Sequence, residues 1–119
     1  MENLERKLYL IRLFNLYGEL LSNAQKEFFS DYYLADLSLS EISENKNVSR
    51  SAVEDALKKA STKLEEYEAK LGVYKKSIQI SDKIEVLMEK LDDEECLKLL
   101  TEIEKDCNYG IWKSYWKII

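Results

Sequence analysis

A guanidinium flanked by two hydroxyls, Ser49-Arg50-Ser51, is followed by Glu54, Lys58, Lys59 and Lys63. On the outer face of one helix, these side chains suit nucleic-acid binding. Arg50 can bond a guanine edge or a phosphate. Ser49 and Ser51 can hold phosphate through a hydroxyl or a helix-start amide. The three lysines can neutralise backbone charge. Glu54 and its neighbour Asp55 can accept from a cytosine amine, but otherwise each opposes a phosphate surface.

Other chemistry is poorly supplied. With no His, imidazole acid–base catalysis, His-activated nucleophiles and His-containing metal sites are excluded. Cys96 and Cys107 cannot by themselves complete a four-ligand zinc site or a disulfide framework, and free thiols are the default. Gly18, Gly72 and Gly110 lie too far apart for a Gly-rich phosphate loop. Asp92-Asp93-Glu94-Glu95 caps a helix, with Asp92 as the N-cap, because its pattern does not match a calcium loop. No enzyme, no cofactor and no metal site is expected.

The elements that must position Arg50 are helices. The 119 residues are 45% apolar and 34% charged, with no proline and three glycines, which favours long helices. No apolar run approaches the roughly 18–20 residues that span a bilayer, and the first residues lack a secretory layout, so a cytoplasmic protein with no membrane partner is expected. Leu10, Phe14, Tyr17 and Leu21, with Leu13, Leu16 and Leu20 beside them, give the first helix a wide buried stripe. Ser22 with Gln25 opens a second helix, whose aromatic lines are Phe28, Phe29, Tyr32 and Tyr33. Ser38 with Glu41 forms a capping box for a short third helix ending near Asn45-Lys46-Asn47, and Ser49 caps the next. A short helix, a tight turn and a capped second helix describe a helix-turn-helix over about residues 38–60.

From Val53, apolar residues recur at Leu57, Ala60, Leu64, Tyr67, Leu71, Tyr74 and Ile78 in strict alternation of four and three. That coiled-coil-like seam would run about 38 Å unless Gly72 breaks it. It can pack on the chain's own first helix or form a homodimer. Charge is uneven along the chain. Residues 38–64 carry five basic and four acidic side chains, while both flanks are acidic and the whole chain is −5.

The run Leu13-Phe14-Asn15-Leu16-Tyr17-Gly18-Glu19-Leu20-Leu21, then Asp31-Tyr32-Tyr33, Leu37-Ser38-Leu39-Ser40-Glu41-Ile42, Val48-Ser49-Arg50-Ser51-Ala52-Val53 and Leu64-Glu65-Glu66-Tyr67-Glu68-Ala69-Lys70-Leu71 resembles the YlxM-type family over about residues 8–90. Those proteins are associated with the signal recognition particle and are similar to region 4 of bacterial sigma factors. Ser43 stands where a small Ala often lets the helices approach, and Asn47 where Gly often makes the turn.

The resemblance implies an all-α, sigma-region-4-like helix-turn-helix bundle, and the helical periodicity adds a long C-terminal helical extension. It also implies a DNA-binding regulatory role in the signal recognition particle pathway. The expected layout is a helical domain at 1–64, a helical extension at 65–108 that can dimerise, and an aromatic tail at 109–119. The tail can dock on the body, or grip a partner or lipid surface, although its last nine residues, with two Lys, make a weak membrane signal. The acidic balance and Glu54 leave a second function open, an adaptor that binds a protein or ribonucleoprotein of that machinery with little DNA affinity.

Overall fold

The computed structural model describes residues 3–107, which form six α-helices and no strand. The all-α class follows directly. The aromatic tail at 109–119 lies outside the described residues. The chain divides into two compact units, one ending at Leu71 and the other beginning at Gly72.

In the first unit, α1 (Leu4–Tyr17) starts at Asn3, whose side chain accepts from Arg6 N at 2.9 Å. It passes into a 3-10 turn at Gly18–Leu20 instead of continuing as α-helix to Leu21. Gly18 fits closely there: a Cβ at this position would meet the Phe14 ring at 3.1 Å, so that ring would have to shift by a few tenths of an ångström. Helix α2 (Asn23–Phe29) opens on the expected capping box, with Ser22 and Gln25 each bonding the other's backbone N–H.

The second helix does not run on regularly through Tyr32 and Tyr33. Residues Ser30–Leu34 form a widened π turn in which Ala35 N donates to Ser30 O at 2.8 Å. It stops where Asp36 takes a left-handed backbone conformation, φ 58°.

Helix α3 (Leu39–Lys46) has its full capping box from Ser38 and Glu41. Helix α4 (Arg50–Leu71) is the hub of the unit and contacts α1, α2 and α3. Leu10, Leu13, Phe29, Ile42, Val53, Ala60 and Leu64 are fully buried around it. The first half of the long seam, Val53 to Leu64, therefore faces this chain's own helices. Tyr67 tilts against Tyr17 with ring centroids 6.0 Å apart, and Leu71 is 59% exposed.

A helix running unbroken from Val53 to Ile78 is not formed. Helix α4 ends at Leu71, and Gly72 takes φ 62°, a left-handed geometry that glycine adopts without penalty and that ends a helix. Tyr74 and Ile78 belong instead to α5 (Val73–Lys90) in the second unit, where both are half-buried. Helix α6 (Glu94–Cys107) then pairs with α5. Its N-cap is Asp93, not Asp92: one carboxylate oxygen of Asp93 accepts from the amides of Glu95 and Cys96 at 2.9 and 3.2 Å. Both cysteines are free and half-buried. No described helix is long and apolar enough to cross a membrane.

Candidate nucleic-acid interface

The turn between α3 and α4 is fixed by three hydrogen bonds. Asn47 at φ 54° ends α3 in left-handed geometry, and its amide donates to Glu44 O at 3.3 Å. Val48 N donates to Ser43 O at 3.1 Å, completing a Schellman arrangement. The Ser43 hydroxyl then donates back to Val48 O at 2.7 Å. An alanine at 43 could not make that third bond, so the hydroxyl of this chain locks a turn that Asn47, and not glycine, must bend.

Ser49 starts α4 as its cap, with Ala52 N donating to its Oγ at 3.0 Å. The hydroxyl thereby accepts one bond and keeps its proton to donate to a phosphate oxygen. Beyond the cap, Arg50, Ser51, Glu54, Lys58, Lys59 and Lys63 are all exposed, as is Asp55. One helix brings them together, while Val53, Leu57, Ala60 and Leu64 anchor its opposite side.

The charges on this face are partly self-neutralised. Arg50 Nε lies 3.7 Å from Glu54, and Lys59 Nζ lies 3.0 Å from Asp55. Both pairs are well exposed and span one helical turn, so each is weak and readily exchanged for a phosphate. Lys63 lies over the Tyr67 ring at 5.9 Å. Lys58 makes no ion pair among the described residues, and it borders two shallow surface grooves. One groove also takes in Gln25, Lys59, Thr62 and Lys63, and the other takes in Arg6, Tyr32, Leu39 and Glu54.

Lys46 makes a set of contacts that reading the motif alone misses. Its ammonium reaches Glu27 at 2.8 Å and Asp31 at 3.8 Å and lies over the Phe28 ring at 5.7 Å. It thereby pins the end of α3 to α2 and the π turn. The hydrogen bond from Lys46, then its charge, hold the Glu27 carboxyl below its ordinary 4.5. The hydrogen bond to Glu27 likewise raises Lys46 above 10.5, against a smaller opposing effect of burial.

A lowered folded pKa means that Glu27 contributes stability above 4.5, which is lost as pH falls through its folded value. A raised one means that Lys46 contributes below 10.5, which is lost as pH rises through its folded value. Thermal melts of the wild type and Glu27→Gln should therefore differ most between those limits and converge on acidification. Curves that stay parallel down to pH 2–3, roughly, would reject the clamp.

An all-α bundle with a short helix, a locked turn and a capped, outward-facing second helix defines a helix-turn-helix protein. The comparison with known families agrees. The chain belongs to the UPF0122 family, described as "Putative helix-turn-helix protein, YlxM / p13 like", whose profile matches residues 4–105. A UPF0122 protein of Thermoanaerobacter sp. (strain X514) is 42% identical over 106 residues, covering 83% of this chain and 91% of the relative. One from Caldanaerobacter subterraneus subsp. tengcongensis is 49% identical over 82 residues, covering 69% and 70%. One from Clostridium acetobutylicum is 37% identical over 112 residues, covering 88% and 97%.

Proposed function

We propose that this protein binds duplex DNA by laying the start of α4 in the major groove. Arg50 and Ser51 lead, and Lys58, Lys59 and Lys63 meet phosphate. The observation that carries this reading is the triply bonded turn followed by the Ser49 cap, which leaves Arg50 and Ser51 exposed on a helix whose other side is fixed in the core. Such pre-organisation suits groove entry, because little freedom remains to be lost on binding. A regulatory role in the signal recognition particle pathway is the context that the resemblance adds.

Binding of labelled mixed-sequence duplex, followed by anisotropy across a salt series, tests it. Affinity must fall as salt rises, with a log–log slope of about −0.9 for each phosphate neutralised. Arg50→Ala with Lys58→Ala should flatten that slope by about 1.8 and weaken binding roughly equally on all sequences, unless Arg50 reads a base. Absence of binding at low salt, or an unchanged slope in the double variant, defeats the proposal.

The pairs Arg50–Glu54 and Lys59–Asp55 favour a second reading. In it the same face, with two of its four cations already paired to carboxylates, meets a protein or ribonucleoprotein of the targeting machinery. Capture of that particle's protein, RNA or receptor GTPases by the immobilised chain, with no duplex binding, would select it.

A further inference from the structure

In the second unit, α5 and α6 fold back on each other through Leu91-Asp92-Asp93. At the far end, the Ser77 hydroxyl donates to Cys107 O at 2.9 Å, which sets the register of the pair. Ser81, Ile84 and Glu104 are buried along the line where the helices meet. A two-helix pair can cover only one line of side chains on each helix, and here the apolar stripe is wider. Advancing about 100° per residue from the meeting lines, Ile80 and Leu87 on α5 and Leu99 and Ile103 on α6 project to the same side of the hairpin. Leu87, Leu99 and Ile103 are 46%, 53% and 46% exposed, although each is a large apolar side chain.

The rims of this strip carry opposite charge. On α5 they are Lys76, Lys83 and Lys90, a heptad apart, and on α6 they are Glu95, Glu102 and Asp106; all six are exposed. We infer that the strip is covered by a second copy of this chain. A two-fold axis parallel to the helices would lay α5 of one copy on α6 of the other and close a four-helix bundle. The Ser77–Cys107 register puts Lys83 level with Glu102, Lys90 with Glu95 and Lys76 with Asp106. That symmetry therefore brings each lysine rim against an acidic rim, twice.

The self-association surface is thus placed on the hairpin and not on the α4 seam, whose residues from Val53 to Leu64 the chain covers itself. The strip is roughly 20–25 Å long and two helices wide. Its area lies near the ~1,000 Å² lower bound for specific interfaces, so the dimer should form at micromolar concentration, not nanomolar.

Sedimentation velocity of the full chain from about 1 to 200 μM tests this. The mass should rise from 14.0 kDa towards twice that value. Leu99→Glu with Ile103→Glu should hold it at the monomer value with unchanged helix content, because both residues are already exposed. Lys83→Glu and Glu102→Lys should each weaken association at least tenfold. Their equimolar mixture should restore it, since only the mixed pair has both contacts complementary.

A wild type that stays at monomer mass overturns the inference. So does a dimer that survives the Leu99/Ile103 change, or a mixture that fails to recover. None of these readouts depends on DNA.

Discussion

Phe29→Ala should remove about 3–5 kcal/mol of stability, the usual loss when a fully buried phenylalanine is truncated to alanine. Phe29 is completely buried at the end of α2, where the backbone widens into the π turn. Its ring stacks on Phe14 with centroids 4.4 Å apart and an interplanar angle of 13°, and it meets Tyr33 at 4.4 Å. Tyr33 in turn meets Tyr32 edge-on at 4.9 Å. One deletion thus opens a cavity where α1, α2 and the π turn converge against α4.

For a domain whose total stability is roughly 5–15 kcal/mol, that is about a fifth of the whole or more. Phe28→Ala, one residue earlier on a half-buried site beside Lys46, should cost well under half as much. Urea midpoints of the two variants make the comparison. Equal losses would mean that Phe29 is not the centre of the unit.

The contrast between Phe28 and Phe29 shows where sequence stops being sufficient. Both belong to an aromatic cluster whose helical spacing marks it as core, and reading it so is sound. That spacing does not say that Phe29 goes deepest or that the backbone widens at Ser30–Leu34, and no Gly or Pro announces that turn. The contacts around it join distant and neighbouring rings alike, Phe29 on Phe14 and Tyr33 on both Phe29 and Tyr32.

Local signals fared better where the chemistry is local. Both capping boxes and the Ser49 cap are formed by residues three apart, so the chain itself holds the information. The last helix shows the limit. Asp92 and Asp93 are equally good caps by type, and only backbone geometry decides for Asp93.

At the candidate site, the exposed residues of α4 were legible from helical period alone. Two features were not. The Ser43 hydroxyl looked like a departure from a small residue, whereas it supplies a turn bond to Val48. The Lys46–Glu27 clamp joins positions 19 apart in the chain, and no periodicity connects them.

Neutralising the two carboxylates on α4 should strengthen duplex binding, by roughly tenfold at low salt. Glu54 and Asp55 stand among Arg50, Lys58 and Lys59 on the exposed face, and each would lie near the phosphate wall of a groove that accepts Arg50. A unit charge about 6 Å from a phosphate in water repels it by roughly 0.7 kcal/mol, and two such charges make up one decade in affinity. Glu54→Gln with Asp55→Asn removes both and also releases Arg50 and Lys59 from their pairs. Those pairs are exposed i,i+4 contacts contributing at most about 0.5 kcal/mol each, so the helix should survive intact.

The salt dependence should steepen as well, because more net positive charge then displaces counterions. If Glu54 instead accepts from a cytosine, its replacement would lower affinity for sequences carrying that base while Asp55→Asn alone still raised it. If the face serves a protein partner, both changes would weaken that complex and leave duplex binding undetectable. Anisotropy titrations of the two single variants and the double variant separate these cases. An affinity for duplex that is present yet indifferent to all three would remove α4 from the interface.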